Sequence, residues 1–354
     1  MPGADPIREG ERLLTICNAC RYCEGYCAVF PAMERRMSFS DADVHFLANL
    51  CHGCAECYYA CQYAPPHEFG VNVPRAFAEI RARSYEHYAW PRGLAKVFQG
   101  RGIVAIWLAV LAALVAGGAN MGGARFYDVI PHDWMITIFL ALGVFTAVVQ
   151  SAGLVRFWKD GGEGIGPWLR PAALARAIRD ILSLKNLDSG GVGCTYPDEL
   201  HSRARRRYHH FAFYGFLLCF ASTTVAAIYD NVFGWIAPYA YGSAPVVLGT
   251  LGGIGLLIGP VGLLLLRRQR DAAIADPKQD GADASFLILL FLTSFTGLML
   301  LALRETTLMG VLLVTHLAVV LALFVTLPYG KFVHGIYRAA ALFKNALEQG
   351  PERR

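Results

Sequence analysis

Eight of the ten cysteines in this chain fall between residues 17 and 61, in two runs with identical spacing. Each run reads C-x2-C-x2-C-x3-C, and the members are Cys17, Cys20, Cys23 and Cys27, then Cys51, Cys54, Cys57 and Cys61. Three thiolates on one tight loop can bind three corners of an iron–sulfur cube. A tetrahedral zinc site needs only two C-x-x-C pairs, so each run would have a cysteine left over. The repeat therefore predicts two [4Fe–4S] clusters.

In proteins with two such clusters, the last cysteine of each run ligates the cluster of the other run. We therefore expect one cluster to be held by Cys17, Cys20, Cys23 and Cys61, and the second by Cys51, Cys54, Cys57 and Cys27. Bacterial ferredoxin runs end in Cys-Pro, whereas Ala28 and Gln62 follow the last cysteines here.

Strand patterns are scarce in this segment, and Asp41–Asn49 has the pattern of a helix. We predict a helical, ferredoxin-like domain with two clusters.

The composition points to a membrane protein. Of the 354 residues, 55% are hydrophobic and only 17% are charged, below the quarter that is usual for soluble domains. Six apolar stretches are each long enough to cross a bilayer as a helix: residues 102–120, 134–155, 209–229, 245–266, 285–303 and 307–327. The gap Arg304–Thr306 between the last two predicts a tight helical hairpin.

These features predict an all-α chain with two domains and a tail. Residues 1–100 form the cytoplasmic two-cluster domain. Residues 101–340 form a six-helix transmembrane bundle that contains a cytoplasmic loop at 156–208, and residues 341–354 form a cytoplasmic tail.

The basic residues predict the orientation. Of the 32 Lys and Arg residues, all but Arg125 and Arg304 lie on the side shared by both termini, the 156–208 loop and the 267–284 loop. This bias places both termini in the cytoplasm. Residues 1–60 lack the apolar run of a signal peptide, so the cysteines are expected to stay in a reducing compartment. The basic run Arg203–Arg207 is expected to contact lipid headgroups, and no nucleic-acid partner is expected.

Histidines near the membrane form a second candidate site. His209 and His210 begin the third span, His316 lies in the middle of the sixth, and His334 lies just past its end. Ionisable side chains at membrane depth are functional candidates. Because spans three and six meet the same surface, His334 and one of the adjacent pair could ligate a b-type haem from both sides. The alternative is that these histidines are ordinary interfacial residues.

Only one of His209 and His210 can ligate, because neighbouring helix positions point about 100° apart; we favour His210. His316 is the candidate for a second haem, although no partner histidine is evident. It precedes His334 by five helical turns, which would place both on one face of an unbroken helix, but Pro328 and Gly330 intervene.

Four stretches resemble the tricarballylate/citrate utilisation protein B family over nearly the whole chain: CNACRYCEGYCAVFP at 17–31, LCHGCAECYYACQYAPPH at 50–67, HHFAFYGF at 209–216 and LPYGKFVH at 327–334. The last stretch also resembles the closing helix of nitrate-reductase-type cytochrome b subunits. The resemblance implies a protein of the cytoplasmic (inner) membrane of a prokaryote. It would reoxidise the reduced flavin of an FAD-dependent dehydrogenase for tricarballylate or a related tricarboxylate, and pass the electrons to membrane quinone.

The residues themselves agree with an electron-transfer component. The chain has no dinucleotide fingerprint and no nucleophile–base pair, so substrate oxidation would occur on the partner flavoprotein. A membrane redox sensor or assembly factor that uses the clusters as a switch is the alternative. A transporter fits less well, because the spans hold almost no charge that could bind a polyanion. The glycines within 249–259 lie in an apolar span and are expected to serve helix packing.

Overall fold

The computed structural model describes residues 5–97, 126–162, 164, 166, 170–188, 191, 194 and 200–350. Within these residues the secondary structure is helical, apart from one antiparallel bridge between Cys194 and Ser202. The all-α prediction is therefore confirmed for this part of the chain.

The N-terminal domain consists of six helices, several of which begin at side chains that cap them. Asp5 accepts a hydrogen bond from the backbone of Ile7, and Ser40 and Asp43 form a reciprocal capping box. The predicted helix at Asp41–Asn49 is confirmed. The helices are α1 (Pro6–Cys20), α2 (Val29–Glu34), α3 (Asp41–Leu50), α4 (Glu56–Tyr59), α5 (Val73–Tyr88) and α6 (Arg92–Val97).

Helices α1, α3 and α5 enclose the core of this domain. Its most deeply buried side chains include Leu13, Leu14, Phe46, Leu47, Phe77 and Ile80. Helices α1 and α5 approach closely at Gly10, where an added Cβ would lie 2.6 Å from the Cδ1 of Ile80. This core fixes the ends of α1 and α3, from which the two cysteine runs extend.

Five described helices are long and apolar enough to cross a membrane, and they coincide with five of the six predicted spans. The first predicted span, residues 102–120, lies outside the described residues. Large apolar side chains point outward from these helices: Leu140, Phe220 and Leu251 are each more than half exposed. Such surfaces suit hydrocarbon rather than water. The five helices are α8 (His132–Asp160), α10 (Ala204–Phe233), α11 (Ala244–Arg268), α12 (Pro277–Leu303) and α13 (Met309–Thr326).

Three other helices connect or flank these spans. They are α7 (Phe126–Val129), α9 (Pro171–Ser183) and α14 (Val333–Glu348). The predicted hairpin between the last two spans is present, with a connection of residues 304–308.

Helix α14 packs against the N-terminal domain rather than forming a free tail. Tyr337, Ala341 and Phe343 belong to the same buried core as α1, α3 and α5. The carboxylate of Glu348 accepts from Arg36 at 2.6 Å. The predicted boundary between residues 340 and 341 therefore falls inside a helix that joins the two domains.

The chain turns sharply between α13 and α14. Helix α13 ends at Thr326, and the backbone N–H of Gly330 donates to the carbonyl of Thr326 at 2.7 Å. An added Cβ at Gly330 would also lie 2.7 Å from that oxygen, so glycine suits the turn. His316 and His334 consequently lie on separate helices, and the argument that they share one helix face does not apply.

Glycines bring α10 and α11 into backbone contact, as the sequence predicted. A Cβ at Gly252 would lie 2.7 Å from the backbone nitrogen of Cys219, and one at Gly259 would lie 2.5 Å from that of Ala212. Gly215 faces the same contact from α10. Small residues at such a seam let helices pack closely in a membrane, where van der Waals contact drives association.

Replacing Gly252 by Leu should therefore destabilise the membrane domain, since the new side chain must push the two backbones apart. Overpacking of this kind costs roughly 1–3 kcal/mol of unfolding free energy. Chemical unfolding in mixed micelles measures it. Gly281→Leu is the matched control, because a Cβ at Gly281 on α12 meets nothing within 4 Å. Equal losses in the two variants would contradict this account of the seam.

Candidate metal centres

The eight cysteines line two cavities in the N-terminal domain. The first, which we call the Cys51 cavity, is bordered by four thiols, those of Cys27, Cys51, Cys54 and Cys57. The second, the Cys17 cavity, is bordered by Cys17, Cys20, Cys23 and Cys61, and also by Cys57. Because Cys57 borders both, the two cavities are neighbours.

The fourth cysteine of each run lies at the cavity of the other run. Cys27 borders the Cys51 cavity and Cys61 borders the Cys17 cavity. This grouping is the one expected for two clusters with exchanged ligands. Helix α2 begins two residues after Cys27, and the short α4 contains Cys57 and ends two residues before Cys61.

The thiols are arranged around open volumes rather than around a point. Within the described ranges, no three His, Cys, Asp or Glu side chains come close enough together to hold a single metal ion. In a cubane each cysteine binds a different iron atom, so its ligand sulfurs stay apart. In a zinc site all four sulfurs lie about 2.3 Å from one ion. The donor set, four cysteines at each cavity, fits the predicted clusters.

Burial favours the thiol form of four of the eight cysteines. Burial, followed by the neighbouring cysteines, raises the pKa of Cys17 and of Cys23 to about 12. Burial also holds the pKa values of Cys27 and Cys57 well above the usual thiol value. Metal binding must therefore displace protons, as it does at other thiolate sites. When bound, an iron–sulfur cluster supplies one-electron chemistry at these positions.

A tight loop shapes the Cys51 cavity. Gly53 and Ala55 both adopt left-handed backbone conformations, with φ of 62° and 67°. The N–H of Gly53 points at the sulfur of Cys51, 3.3 Å away. Glycine adopts this geometry without steric cost, whereas Ala55 must be held there by its surroundings.

One member of the basic run contacts this loop instead of lipid headgroups. Arg205, in the first turn of α10, donates to the carbonyls of His52 and Gly53 at 2.7 and 2.8 Å. Its neighbour Arg206 pairs with the buried carboxylate of Asp188 at 2.7 Å. Sequence reasoning missed both roles, because a basic run beside a membrane span is the usual orientation signal.

The structure brings His209 and His334 together. Their ring centroids lie 6.2 Å apart, with 52° between the ring planes. Two metal–imidazole bonds of about 2 Å, plus the distance from each nitrogen to its ring centre, would separate two histidines that share one metal ion by about 6 Å. The separation of the two rings is compatible with the prediction that one histidine of the third span and His334 bind one haem.

The protonation of this pair also suits metal binding. The Nδ1 of His334 donates to the carbonyl of Lys331 at 2.5 Å, which leaves its Nε2 free to ligate. Burial, with Lys331 and Arg338 nearby, holds the pKa of His334 well below its usual value, so the ring is neutral. The Nδ1 of His209 is buried and has no hydrogen-bond partner within the described residues.

The structure places His210, the histidine that the sequence analysis favoured, away from this pair. Its ring stacks on Tyr214, one turn further along α10, at 5.9 Å between centroids and 5° between planes. The hydroxyl of Tyr214 donates to the carbonyl of Leu182 outside the helix. The two histidines diverge as expected for helix neighbours, and His209 is the one that faces His334.

His316 has a different environment. Its Nδ1 lies 3.0 Å from the hydroxyl of Thr296 on α12. An added Cβ at Gly297 would lie 2.9 Å from the ring, so the imidazole packs tightly against α12. These contacts are those of a packed, hydrogen-bonded side chain, and a second haem on His316 stays a prediction.

Comparison with known proteins gives matches over nearly the whole chain. The family described as citrate utilization protein B matches residues 95–354, and the family described as the citrate utilization protein B Fer4-like domain matches residues 10–87. A protein of Escherichia coli, named citrate utilization protein B, is 48% identical over 356 aligned positions. The alignment covers 98% of this chain and 93% of the relative.

No solved structure is detectably similar to the chain. The Fer4-like match covers the segment that contains all eight cysteines of the two runs, and the other match covers the five long apolar helices. Two family matches that together span the chain, and a relative that is nearly half identical, agree with each other. The chain belongs to the citrate utilization protein B family, with a Fer4-like domain at its N-terminus.

Proposed function

We propose that this chain is a membrane-bound electron-transfer subunit. It reoxidises the reduced FAD of a partner dehydrogenase and passes electrons through two [4Fe–4S] clusters and one b-type haem to membrane quinone. The substrate of the partner is tricarballylate or a related tricarboxylate; the name of the Escherichia coli relative, citrate utilization protein B, supports a role in tricarboxylate utilisation and no more.

One observation carries the proposed route. Arg205 donates to the loop of the Cys51 cavity and precedes His209 by four residues on α10. Arg338 donates to the carbonyl of Cys51 at 2.6 Å and follows His334 by four residues on α14. Residues four apart on a helix are neighbours on one face. The candidate haem ligands thus lie one helical turn from arginines that contact the cluster loop.

The burial of the two cavities supports an order of transfer. Cys51 and Cys54 are buried, 8% and 7% exposed, whereas Tyr22 at the Cys17 cavity is 66% exposed. The Cys17 cavity is therefore the better entry point for electrons from a soluble flavoprotein. The loop of the Cys51 cavity contacts α10 through Arg205, so this cavity is the better exit point toward the membrane helices.

A vesicle experiment tests the function. Membrane vesicles that contain the chain are mixed with an FAD-dependent tricarballylate dehydrogenase and tricarballylate, and a soluble quinone is then added. The flavin should be reduced by the substrate and reoxidised only after the addition of quinone. Vesicles with the Cys54→Ala variant are the control and should leave the flavin reduced. Flavin that stays reduced with the parent chain would favour the redox-sensor alternative.

The proposed topology has both termini in the cytoplasm. A reporter fused after Arg354 should be cytoplasmic, and one inserted near Tyr239, between α10 and α11, should be external, because basic residues concentrate on the cytoplasmic side. Cysteine-accessibility labelling in intact cells provides an independent check. An external C-terminus would mean that a span has been miscounted.

A further inference from the structure

Three arginines from distant parts of the chain converge on the loop that borders the Cys51 cavity. Arg81 of α5 donates to the carbonyl of Ala48 at 3.2 Å and approaches that of Cys51 at 3.5 Å. Arg338 of α14 donates to the carbonyl of Cys51 at 2.6 Å. Arg205 of α10 donates to the carbonyls of the next two loop residues, His52 and Gly53.

The hydrogen bonds of these cations at the loop go to backbone carbonyls. Within the part of the chain that the structure describes, none of the three forms an ion pair with Asp or Glu. Elsewhere in the same interface, partly buried cations do have such partners, for example Lys331 with Asp283 at 2.9 Å. Partly buried cations without counter-ions are costly, because desolvation is not offset by charge pairing. An anion in the adjacent cavity would balance them.

We propose that Arg81, Arg205 and Arg338 form a cationic clasp, which raises the reduction potential of the cluster in the Cys51 cavity above that of the cluster in the Cys17 cavity. This inference rests on the proposed two-cluster function. A cluster with four thiolates is anionic and gains one negative charge on reduction. Nearby positive charge stabilises the reduced form more than the oxidised form.

The higher potential at the Cys51 cavity gives electron transfer a direction. Each transfer moves one electron from the Cys17 side to the Cys51 side, with no bond made or broken and no proton required. Since the clasp is built by α5, α10 and α14, it also joins the N-terminal domain to the helices that carry His209 and His334. The three arginines are positioning residues, because they act on the cluster through the loop.

Redox titration of the isolated chain tests the clasp. Low-temperature EPR follows each cluster signal during an anaerobic titration, and the signal that Cys54→Ala removes is assigned to the Cys51 cavity. In Arg205→Met and in Arg338→Met the midpoint potential of that cluster should fall, while that of the other cluster stays in place. Arg205→Lys keeps the charge and should show a smaller fall than Arg205→Met.

Arg207→Met is the matched control. It removes the same charge from the same helix, but Arg207 is exposed, so both potentials should stay at the parent values. An equal shift of both clusters, or no shift in either clasp variant, would overturn the proposal. If Arg205→Met loses the cluster, the midpoint potentials of Arg338→Met and Arg338→Lys are compared instead. The potential of the cluster in the Cys51 cavity should then fall more in Arg338→Met than in Arg338→Lys.

The titration uses neither quinone nor flavoprotein, so its outcome is separate from that of the vesicle experiment. Shifted potentials together with a flavin that stays reduced would uphold the clasp and overturn the electron route. Unshifted potentials together with a reoxidised flavin would overturn the clasp and uphold the electron route.

Discussion

Replacing His334 by alanine should abolish the absorption band of a reduced b-type haem while both iron–sulfur signals keep their full intensity. If His209 and His334 both hold the haem iron, loss of either imidazole would weaken haem binding and change its absorption spectrum. The ring centroid of His334 lies 6.2 Å from that of His209, and the Nδ1 of His334 donates to the carbonyl of Lys331. Both features suit a metal ligand. Reduced-minus-oxidised spectra and a pyridine haemochrome assay measure the loss.

Two further variants sharpen this prediction. His209→Ala should have the same effect, because it removes the opposite ligand. His210→Ala is the matched control and should keep the haem, since its ring stacks on Tyr214. A haem that survives in both His209→Ala and His334→Ala would contradict the assignment, and His316 would become the leading candidate. Exogenous imidazole should restore the band in His334→Gly, which a folding defect would not allow.

The second large effect is expected from Cys27→Ala. Although Cys27 belongs to the first run, the cluster that is lost or reduced to a three-iron form should be the one held by Cys51, Cys54 and Cys57. The structural reason is that Cys27 borders the Cys51 cavity. Low-temperature EPR measures the effect, and the cluster of the Cys17 cavity should retain its signal.

Cys61→Ala should show the complementary loss, because Cys61 borders the Cys17 cavity. Cys219 lies in α10, away from both cysteine runs in the sequence. The Cys219→Ala variant is therefore the control and should change neither EPR signal. If Cys27→Ala instead damaged only the cluster of its own run, the exchanged ligand assignment would be contradicted.

Local patterns allowed much of the molecule to be predicted. Cysteine spacing predicted the grouping of the cysteines at the two cavities, because the residues that form such a loop are close in sequence. Five of the six apolar stretches coincide with described helices that are long and apolar enough to cross a membrane, because length and composition are sufficient signals in hydrocarbon. The glycine seam between α10 and α11 was predicted for the same reason, since small residues in an apolar span have few other uses.

Long-range packing accounts for what the sequence did not reveal. Arg36 and Glu348 form an ion pair although they are 312 residues apart in the sequence. No local sequence pattern predicts that α14 packs into the N-terminal core. The choice between His209 and His210 depends on the rotation of α10 about its axis. That rotation follows from the contacts at Gly252 and Gly259, so it requires the fold.

Anaerobic redox titration of the purified chain, followed by low-temperature EPR with spin counting, tests the central claim most directly. The account predicts two distinct [4Fe–4S] signals, each integrating to one spin per chain on full reduction. Chemical analysis of the same sample should find about eight inorganic sulfides per chain, as two cubanes require. A single signal, or metal without inorganic sulfide, would contradict the account.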